Sequence, residues 1–473
     1  MSRKTKHLIT ILGLIALTTG VLTVLNVMGS QATVSPTPPQ HTTGSGLTVS
    51  SEVAQEKILK HGDGHATVAL SLTAHRLPDQ GDAPPPPADV VIVLDRSGSM
   101  EGQKLADACQ AVLDLIEQLN PDDRLALVAY SDGVQTLAPL LPITADNHRH
   151  LVSLTRKIVS GGGTNLGGGL RQGIDLMLGM PGKARQRKVI LISDGLANQG
   201  ITDPSALGQM AGLAVEHHFT VSTVGVGLDF NETLMTTIAD HGAGSYHFLE
   251  DPRSFAQVFK SELSASRRVA VSDLEIRMLL SPGVTLTDAG GYPVHHEKGA
   301  AVVHPGDLLS GQQRTIFLTF RVPTDTLGTI PMGRLAMQYR FDNQTQRIET
   351  PKPPTVVCVA DPAAAMASIN KKVWTDQVVK DEFGQLKENV AKDIRDGKKS
   401  RAQQRIREYE AKQTAINRVV GSSKVTRNLT TDVKVLRDQV EETFAGPPAV
   451  TAEKKKRVSK SLQYDSYKAR RDK

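Results

Sequence analysis

The chain lacks several features that mark common classes of protein. Aromatic residues make up 4% of its 473 residues, with one Trp, which argues against a surface that stacks on bases or sugars. Two cysteines exclude a disulfide scaffold and a four-cysteine zinc site. The sequence contains no HExxH helix of a zinc protease and no readable pair of nucleophile and base. We therefore expect no enzymatic activity.

Charge is distributed unevenly along the chain, whose net charge is +6. Residues 361–473 carry 26 Lys and Arg against 16 Asp and Glu, whereas residues 88–268 carry 15 against 20. In the basic segment the lysines are interleaved with Glu and Gln, and only Lys454–Arg457 forms a run. This pattern favours a solvated helical face, and we expect no nucleic-acid partner.

The first 51 residues contain no acidic side chain, and three basic residues precede an uncharged run of 21 residues, Leu8–Met28. A helix of this length spans the ~30 Å hydrocarbon core of a membrane, and the basic flank keeps its start in the cytoplasm. The run is longer than a usual signal-peptide core, so residues 1–32 are predicted to be a single-pass anchor in the cell envelope with the rest of the chain extracytoplasmic. The alternative is a signal peptide cleaved after Ser30–Ala32, which would give a secreted or periplasmic protein.

The centre of the chain, residues 88–268, alternates predicted strands and helices. Apolar residues with helical spacing run from Leu105 to Leu119, and similar periods follow further along. Four short runs rich in Val and Ile are typical of strands buried on both faces of a sheet: 90–94, 125–130, 189–192 and 221–226. We predict a doubly wound, Rossmann-like α/β domain with a mostly parallel sheet.

The segments around this domain have a different periodicity. Apolar residues alternate with polar ones over 47–80 and 269–360, which predicts one antiparallel β-sandwich interrupted by the α/β domain. Residues 33–46 are predicted to be a flexible linker. The β pattern is lost after residue 360, so 361–446 is predicted to be helical and the basic segment 447–473 to be disordered.

Oxygen-bearing side chains lie at the ends of two predicted strands. Asp95, Ser97 and Ser99 follow the first strand, Asp194 follows the third, and Thr164 lies in a glycine-rich loop before a helix. Ligand sites of open α/β sheets form at the carboxyl ends of strands, so we expect these five residues to converge. Hard oxygen ligands suit Mg²⁺, with Mn²⁺ or Ca²⁺ as alternatives. The two carboxylates at most neutralise the ion, which leaves a position for water or for an acidic group of a partner.

The motifs that contain these residues carry a family resemblance. DRSGSM, GGGTNLGGGL and LISDGLANQGITD resemble the von Willebrand factor type A domain and its metal-ion-dependent adhesion site. The stretch GVGLDFNETLMTTIADHGAGSYHFL is similar to a branch that includes bacterial exported proteins, calcium-activated chloride channel regulators and inter-alpha-trypsin inhibitor heavy chains. The resemblance, which covers about residues 88–268, implies that Ser97, Ser99 and Thr164 coordinate the ion. It also implies that the two aspartates bind the ion directly or through water.

The resemblance implies metal-dependent binding of proteins. We predict an exported, membrane-tethered protein that captures a protein partner through the metal, whose coordination an Asp or Glu of the partner completes. The alternative is an envelope assembly or scaffold factor in which the ion is structural. Cys109 and Cys358 occupy apolar positions, and two separate buried thiols are favoured over a disulfide.

Overall fold

The computed structural model describes residues 40–77, 86–180, 185–251, 254–266 and 268–471. The predicted anchor or signal, residues 1–32, and the first part of the predicted linker lie outside the described residues. Across the described ranges, no helix has the length and apolar character needed to cross a membrane.

The strands of the described residues are numbered in chain order. They are β1 (Gln40–Gly44), β2 (Leu47–Val53), β3 (Lys57–Leu59), β4 (His65–Ala74), β5 (Ala88–Asp95), β6 (Arg124–Tyr130), β7 (Val134–Pro142), β8 (Gln186–Ser193), β9 (Thr220–Val226), β10 (Ala243–Leu249), β11 (Val269–Leu280), β12 (Thr285–Ala289), β13 (His295–Glu297), β14 (Ala300–Val303), β15 (Leu308–Leu309), β16 (Gln313–Arg321), β17 (Gly328–Pro331), β18 (Gly333–Phe341), β19 (Gln344–Glu349) and β20 (Thr355–Val359).

The α-helices are numbered in the same way. They are α1 (Gln103–Gln118), α2 (Ala145–Thr155), α3 (Leu166–Leu178), α4 (Pro204–Glu216), α5 (Glu232–His241), α6 (Phe255–Ser266), α7 (Pro362–Ala367), α8 (Lys371–Asp376), α9 (Phe383–Arg395), α10 (Lys399–Val420), α11 (Ser423–Arg427), α12 (Val433–Thr443) and α13 (Pro448–Arg470).

The central sheet has the order β10-β9-β8-β5-β6-β7, and every neighbouring pair is parallel except β6 with β7. All eight residues of β5 are buried, because helices cover both faces of the sheet. On one face Ile92 and Leu94 pack in a core with residues of α1 and α6. On the other face Val91 and Val93 pack with residues of α3, α4 and α5. The predicted α/β fold with a mostly parallel sheet is confirmed.

Two antiparallel sheets surround a second core. One has the order β1-β2-β4-β16-β12 and the other β13-β14-β11-β18-β19. Leu70 and Ile316 of the first sheet share a single hydrophobic core with Ile276 and Met337 of the second, as in a β-sandwich. Because β4 precedes the central sheet in sequence and β16 follows it, their antiparallel pairing inserts the α/β fold into the sandwich.

The predicted linker is partly a strand. Gln40–Gly44 forms β1, which pairs antiparallel with β2 at the edge of the first sandwich sheet. Its residues alternate between half-buried and exposed, as in an edge strand with one solvated face. The polar composition that predicted a linker is equally compatible with such a strand, so the prediction is corrected over these five residues.

The region after residue 360 is helical, as predicted, and has a hydrophobic core of its own. Trp374, Leu386, Ile406 and Leu436 all belong to this core. A short π-helical segment at 377–382 joins α8 to α9, and another at 428–432 joins α11 to α12.

The chain end differs from the prediction of disorder over 447–473, since Pro448–Arg470 forms helix α13. Its buried face includes charged residues that have partners elsewhere in the fold. Lys460 pairs with Glu232 of α5 at 2.7 Å, and Arg470 pairs with Asp381 at 3.0 Å. A buried face that is polar and paired gives no apolar periodicity, and for this reason the sequence pattern resembled a solvated tail.

The two cysteines are free thiols. Cys109 in α1 is half-buried, and burial raises its pKa to about 11. Cys358 in β20 is buried, with its Sγ atom 3.6 Å from the carbonyl oxygen of Thr324.

Candidate functional site

The site lies at the carboxyl edge of the central sheet. Strands β5 and β8 are parallel neighbours, with Leu94 opposite Ile192 in the register. Asp95, the last residue of β5, and Asp194, which directly follows β8, therefore emerge side by side. This is the edge where open parallel sheets place their ligands.

A chain of short hydrogen bonds links four of the five predicted residues. The backbone N–H of Ser97 donates to Oδ1 of Asp95 at 2.8 Å. The hydroxyl oxygens of Ser97 and Ser99 lie 3.1 Å apart, and Ser99 donates to Oδ1 of Asp194 at 2.7 Å. Three of the four residues are buried, while Ser99 is exposed at the mouth of the site.

The loop that carries Thr164 is fixed to its neighbours through the backbone. Gly161 N–H donates to the carbonyl of Arg96 at 2.8 Å, and Gly98 N–H donates to the carbonyl of Gly162 at 3.0 Å. Gly162 has φ +81°, and a Cβ there would lie 2.2 Å from a carboxylate oxygen of Asp132, so this position requires glycine. The glycine-rich loop can therefore pack directly against the loop after β5.

The hydroxyl of Thr164 completes the group. A Cβ placed on Gly195 would lie 3.2 Å from the Ser99 hydroxyl oxygen and 3.6 Å from that of Thr164. The missing side chain at Gly195 therefore leaves a gap that both hydroxyls border. Thr164 itself is buried, and its backbone N–H donates to the side-chain Oδ1 atom of Asn198 at 2.9 Å. The structure thus brings all five predicted residues together.

Asp95 has an unusual environment for a carboxylate. It is completely buried, and its Oδ2 atom accepts from the hydroxyls of Ser193 at 2.8 Å and Tyr130 at 3.4 Å. Within the described part of the chain, no Lys or Arg forms an ion pair with it. Burial raises the pKa of Asp95, hydrogen bonds from Ser97 and Ser193 oppose this rise, and the nearby Asp194 adds to it.

Asp194 has a cationic partner that the sequence analysis missed. Lys104, in the first turn of α1, places its Nζ atom 2.6 Å from Oδ2 of Asp194. The same ammonium donates to the carbonyl of Ser99 at 3.3 Å. The Lys104 side chain is 31% exposed, so a positive charge borders the mouth of the site. A lysine in the turn after the serine motif is visible in the sequence, but its direction depends on how α1 packs.

Two further residues missed by the sequence analysis position the ligand residues. Ser193 immediately precedes Asp194 and binds Asp95, so it joins the ends of β5 and β8. Tyr130 ends β6 and donates to the carbonyl of Ile192 at 3.0 Å as well as to Asp95. Both residues end strands of the central sheet, which is the sequence signal that identifies them, and Ser193 also directly precedes Asp194.

The donor set fits a hard divalent cation. Two carboxylates and three hydroxyls offer oxygen ligands of the kind that Mg²⁺ and Ca²⁺ accept. The described residues contain no group of three or more His, Cys, Asp or Glu placed to bind a metal. None of the five predicted donors is a His or Cys, the ligands typical of zinc and copper sites, and three of the five are neutral hydroxyls.

Comparisons with known proteins identify the family of the central domain. Residues 89–261 match the family model of the von Willebrand factor type A domain, and this part of the chain is such a domain. An uncharacterised protein of Synechocystis is 26% identical over 57% of this chain and 66% of its own length. The uncharacterised protein YfbK of Escherichia coli is 25% identical over 61% of this chain and 55% of its own.

The animal relatives match a smaller part. The inter-alpha-trypsin inhibitor heavy chain H3 of Mesocricetus auratus is 29% identical over 39% of this chain and 21% of its own length. The chain therefore spans less than two thirds of each of these three relatives. The predicted resemblance to bacterial proteins and to inhibitor heavy chains is confirmed.

Solved structures extend the likeness of fold beyond the central domain. A von Willebrand factor type A protein from Catenulispora acidiphila superposes with TM-score 0.65 over 93% of this chain and 98% of its own, at 17% identity. The ArnB paralog VWA2 from Sulfolobus acidocaldarius gives 0.52 over 88% and 99%, at 16% identity. These identities establish a shared fold and nothing finer.

Proposed function

We propose that this chain binds a protein partner through a divalent cation held by Asp95, Ser97, Ser99, Thr164 and Asp194. Domains of this family commonly mediate interactions between proteins. The observation that carries the proposal is the buried, unpaired charge of Asp95 beside a second buried carboxylate. Burying a carboxylate without a counter-charge costs several kcal/mol, and a bound cation removes that cost.

The five residues supply two kinds of ligand to the proposed site. Asp95 and Asp194 supply the negative charge, and the three hydroxyls supply neutral oxygen ligands. The bound ion would take a carboxylate oxygen of the partner as a further ligand. The Lys104 ammonium favours an acidic partner group at the mouth, because it leaves the loaded site with a net positive charge.

Calorimetric titration with Mg²⁺ tests the metal site. Wild type should bind the ion, and Asp95→Ala should abolish binding while retaining the fold. Glu101→Ala is the matched control, since Glu101 is an exposed acid in the same loop. Unchanged Mg²⁺ affinity in Asp95→Ala would refute the assignment of the ligands.

Partner capture from the cell envelope, with and without chelator, separates two functions. Capture that disappears with chelator supports adhesion through the metal. Capture that is indifferent to chelator supports a scaffold, in which the sandwich and the helices make permanent contacts. The extensive packing of α13 on the central domain, through the buried Lys460–Glu232 pair, is the observation that keeps this second function open.

We also propose that the chain is exported and tethered by Leu8–Met28. The uncharged run with a basic flank supports this placement. After alkaline carbonate washing the protein should remain in the membrane fraction. A soluble form that begins at Thr33 would show instead that the segment is a cleaved signal.

A further inference from the structure

Large apolar side chains are exposed around the mouth of the candidate site. Val159 is 69% exposed, Leu196 58% and Ile201 45%. We call these three residues the apolar rim. Val159 lies just before the glycine-rich segment that contains Thr164. Leu196 and Ile201 lie in the loop after β8, which begins with Asp194.

Contacts or chain adjacency place each rim residue beside the site. The carbonyl of Val159 accepts a hydrogen bond from Arg96, the neighbour of Asp95, at 3.4 Å. Leu196 follows Gly195, which borders the Ser99 and Thr164 hydroxyls. Ile201 abuts Gly167, where an added Cβ would lie 3.2 Å from the Ile201 Cβ atom. The rim therefore flanks the polar centre and is not a separate patch.

The position of these side chains distinguishes them from other exposed hydrophobic residues. Single exposed aliphatic residues are common on protein surfaces and need no explanation. Apolar groups gathered around a polar centre are typical of binding sites, where the polar groups fix orientation and the apolar ones add affinity. Elsewhere in the described residues, exposed aliphatic side chains such as Leu279, Leu327 and Val435 are scattered over the sandwich and the helical region.

Charge complementarity identifies the kind of partner. A divalent ion balances Asp95 and Asp194, and the Lys104 ammonium then leaves the centre positive. A single carboxylate complements that centre, whereas the rim complements aliphatic or aromatic side chains. We infer that the partner presents a protein segment in which one Asp or Glu is flanked closely by apolar residues. This inference rests on the proposed function.

Selection from a displayed library of random nine-residue peptides on the full chain in Mg²⁺ tests the inference. Wild type should enrich peptides with one Asp or Glu and with Leu, Ile, Val or Phe within two positions of it. The rim variant Val159→Ser, Leu196→Ser, Ile201→Ser should lose the preference for apolar neighbours. A synthetic peptide of the enriched sequence should bind the rim variant about 10-fold to 100-fold more weakly.

A matched variant controls for the loss of exposed aliphatic groups in general. Leu279→Ser, Leu327→Ser, Val435→Ser removes three such groups outside the site and should bind the peptide as wild type does. The rim variant should keep the Mg²⁺ affinity of wild type, which shows that it is folded at the site. Equal peptide binding by the rim variant and wild type would overturn the inference.

The library also separates this inference from the proposed function. Acidic peptides that enrich only with Mg²⁺ but lack apolar neighbours would refute the role of the apolar rim in binding. The proposed metal site would be unaffected by that result. Enrichment that requires neither an acid nor Mg²⁺ would refute the proposed function itself.

Discussion

The two ends of strand β5 each carry a fully buried aspartate in opposite surroundings. At the start, Asp89 accepts hydrogen bonds from Arg124 at 2.8 and 2.5 Å and from Arg185 at 2.6 Å. At the end, Asp95 accepts from hydroxyls and a backbone N–H, and no cationic side chain of the described residues pairs with it. Residue type, strand and burial are the same, so the counter-charge is what differs.

This difference separates a structural carboxylate from a ligand-binding one. The two arginines neutralise Asp89 within the fold, so this carboxylate needs no bound ligand as a counter-charge. Asp95 is buried without such a partner. A buried carboxylate without a counter-charge is typical of functional sites, where a bound ligand supplies that charge. The comparison therefore predicts that mutations at the two ends affect different properties.

The largest effect should follow from Asp89→Ala. Two guanidinium groups, 18% and 20% exposed, would lose their carboxylate, so the free energy of unfolding should fall by about 3–5 kcal/mol. Urea denaturation measures it. Asp175→Ala breaks an exposed pair with Arg171 and should cost less than about 1 kcal/mol. If the free energy of unfolding fell no further in Asp89→Ala than in Asp175→Ala, Asp89 would not be a structural carboxylate. The distinction between the two strand ends would then fail.

The pairing of Asp89 with Arg124 and Arg185 could not be predicted from the sequence. Continuous apolar runs predicted β5, β6, β8 and β9, because strands buried on both faces need no alternation. The edge strands β7 and β10 carry mixed patterns and were not predicted. The partners of Asp89 come from β6 and from the residue before β8, and only the strand order brings these side chains together.

The candidate site was more predictable than its surroundings. Its five residues follow strand ends or a glycine-rich loop, and parallel topology makes such positions converge. Lys104 could not be placed, because the direction of a long helical side chain depends on packing. Helix α13 could not be predicted as ordered, since Lys460 and Arg470 are buried against acids far away in the sequence.

The second prediction concerns the ligand at the Asp95 end. Mg²⁺ at about 100 times its Kd should raise the free energy of unfolding of wild type by about 2.7 kcal/mol, because it binds the folded state alone. Chelator should reverse the gain. Asp95→Asn should show no gain, and without metal its stability should stay within about 1 kcal/mol of wild type. A large loss of stability in this variant would make Asp95 structural, like Asp89.

Thr164 sharpens the comparison, because it supplies a neutral ligand from a separate loop. Thr164→Ala removes one hydroxyl and leaves both aspartates, so Mg²⁺ affinity should change little. Capture of a carboxylate peptide should weaken by about 1–3 kcal/mol, since the ion would lose one of the neutral ligands that hold it in place for the peptide carboxylate. Parallel titrations with Mg²⁺ and with the peptide measure both. Equal losses would make Thr164 an ordinary ligand.

The smallest effect concerns Lys104, which already gives Asp194 part of the counter-charge that Asp95 lacks. Its ammonium and a bound divalent ion repel each other across Asp194, whose two oxygens are held by Lys104 and Ser99. Lys104→Met keeps the length of the side chain and removes the charge. Mg²⁺ affinity should rise by up to about 1 kcal/mol, or roughly fivefold, because solvent partly screens the Lys104 charge, which is 31% exposed. Calorimetry at low and high salt measures this gain, which should shrink as salt increases.

Lys188→Met is unsuitable as a control, because Lys188 pairs with the buried Glu262. Lys157→Met changes an exposed lysine of the loop before the glycine-rich segment and should leave the affinity unchanged. A fall in Mg²⁺ affinity for Lys104→Met would mean that the lysine orients Asp194 for the ion rather than competing with it.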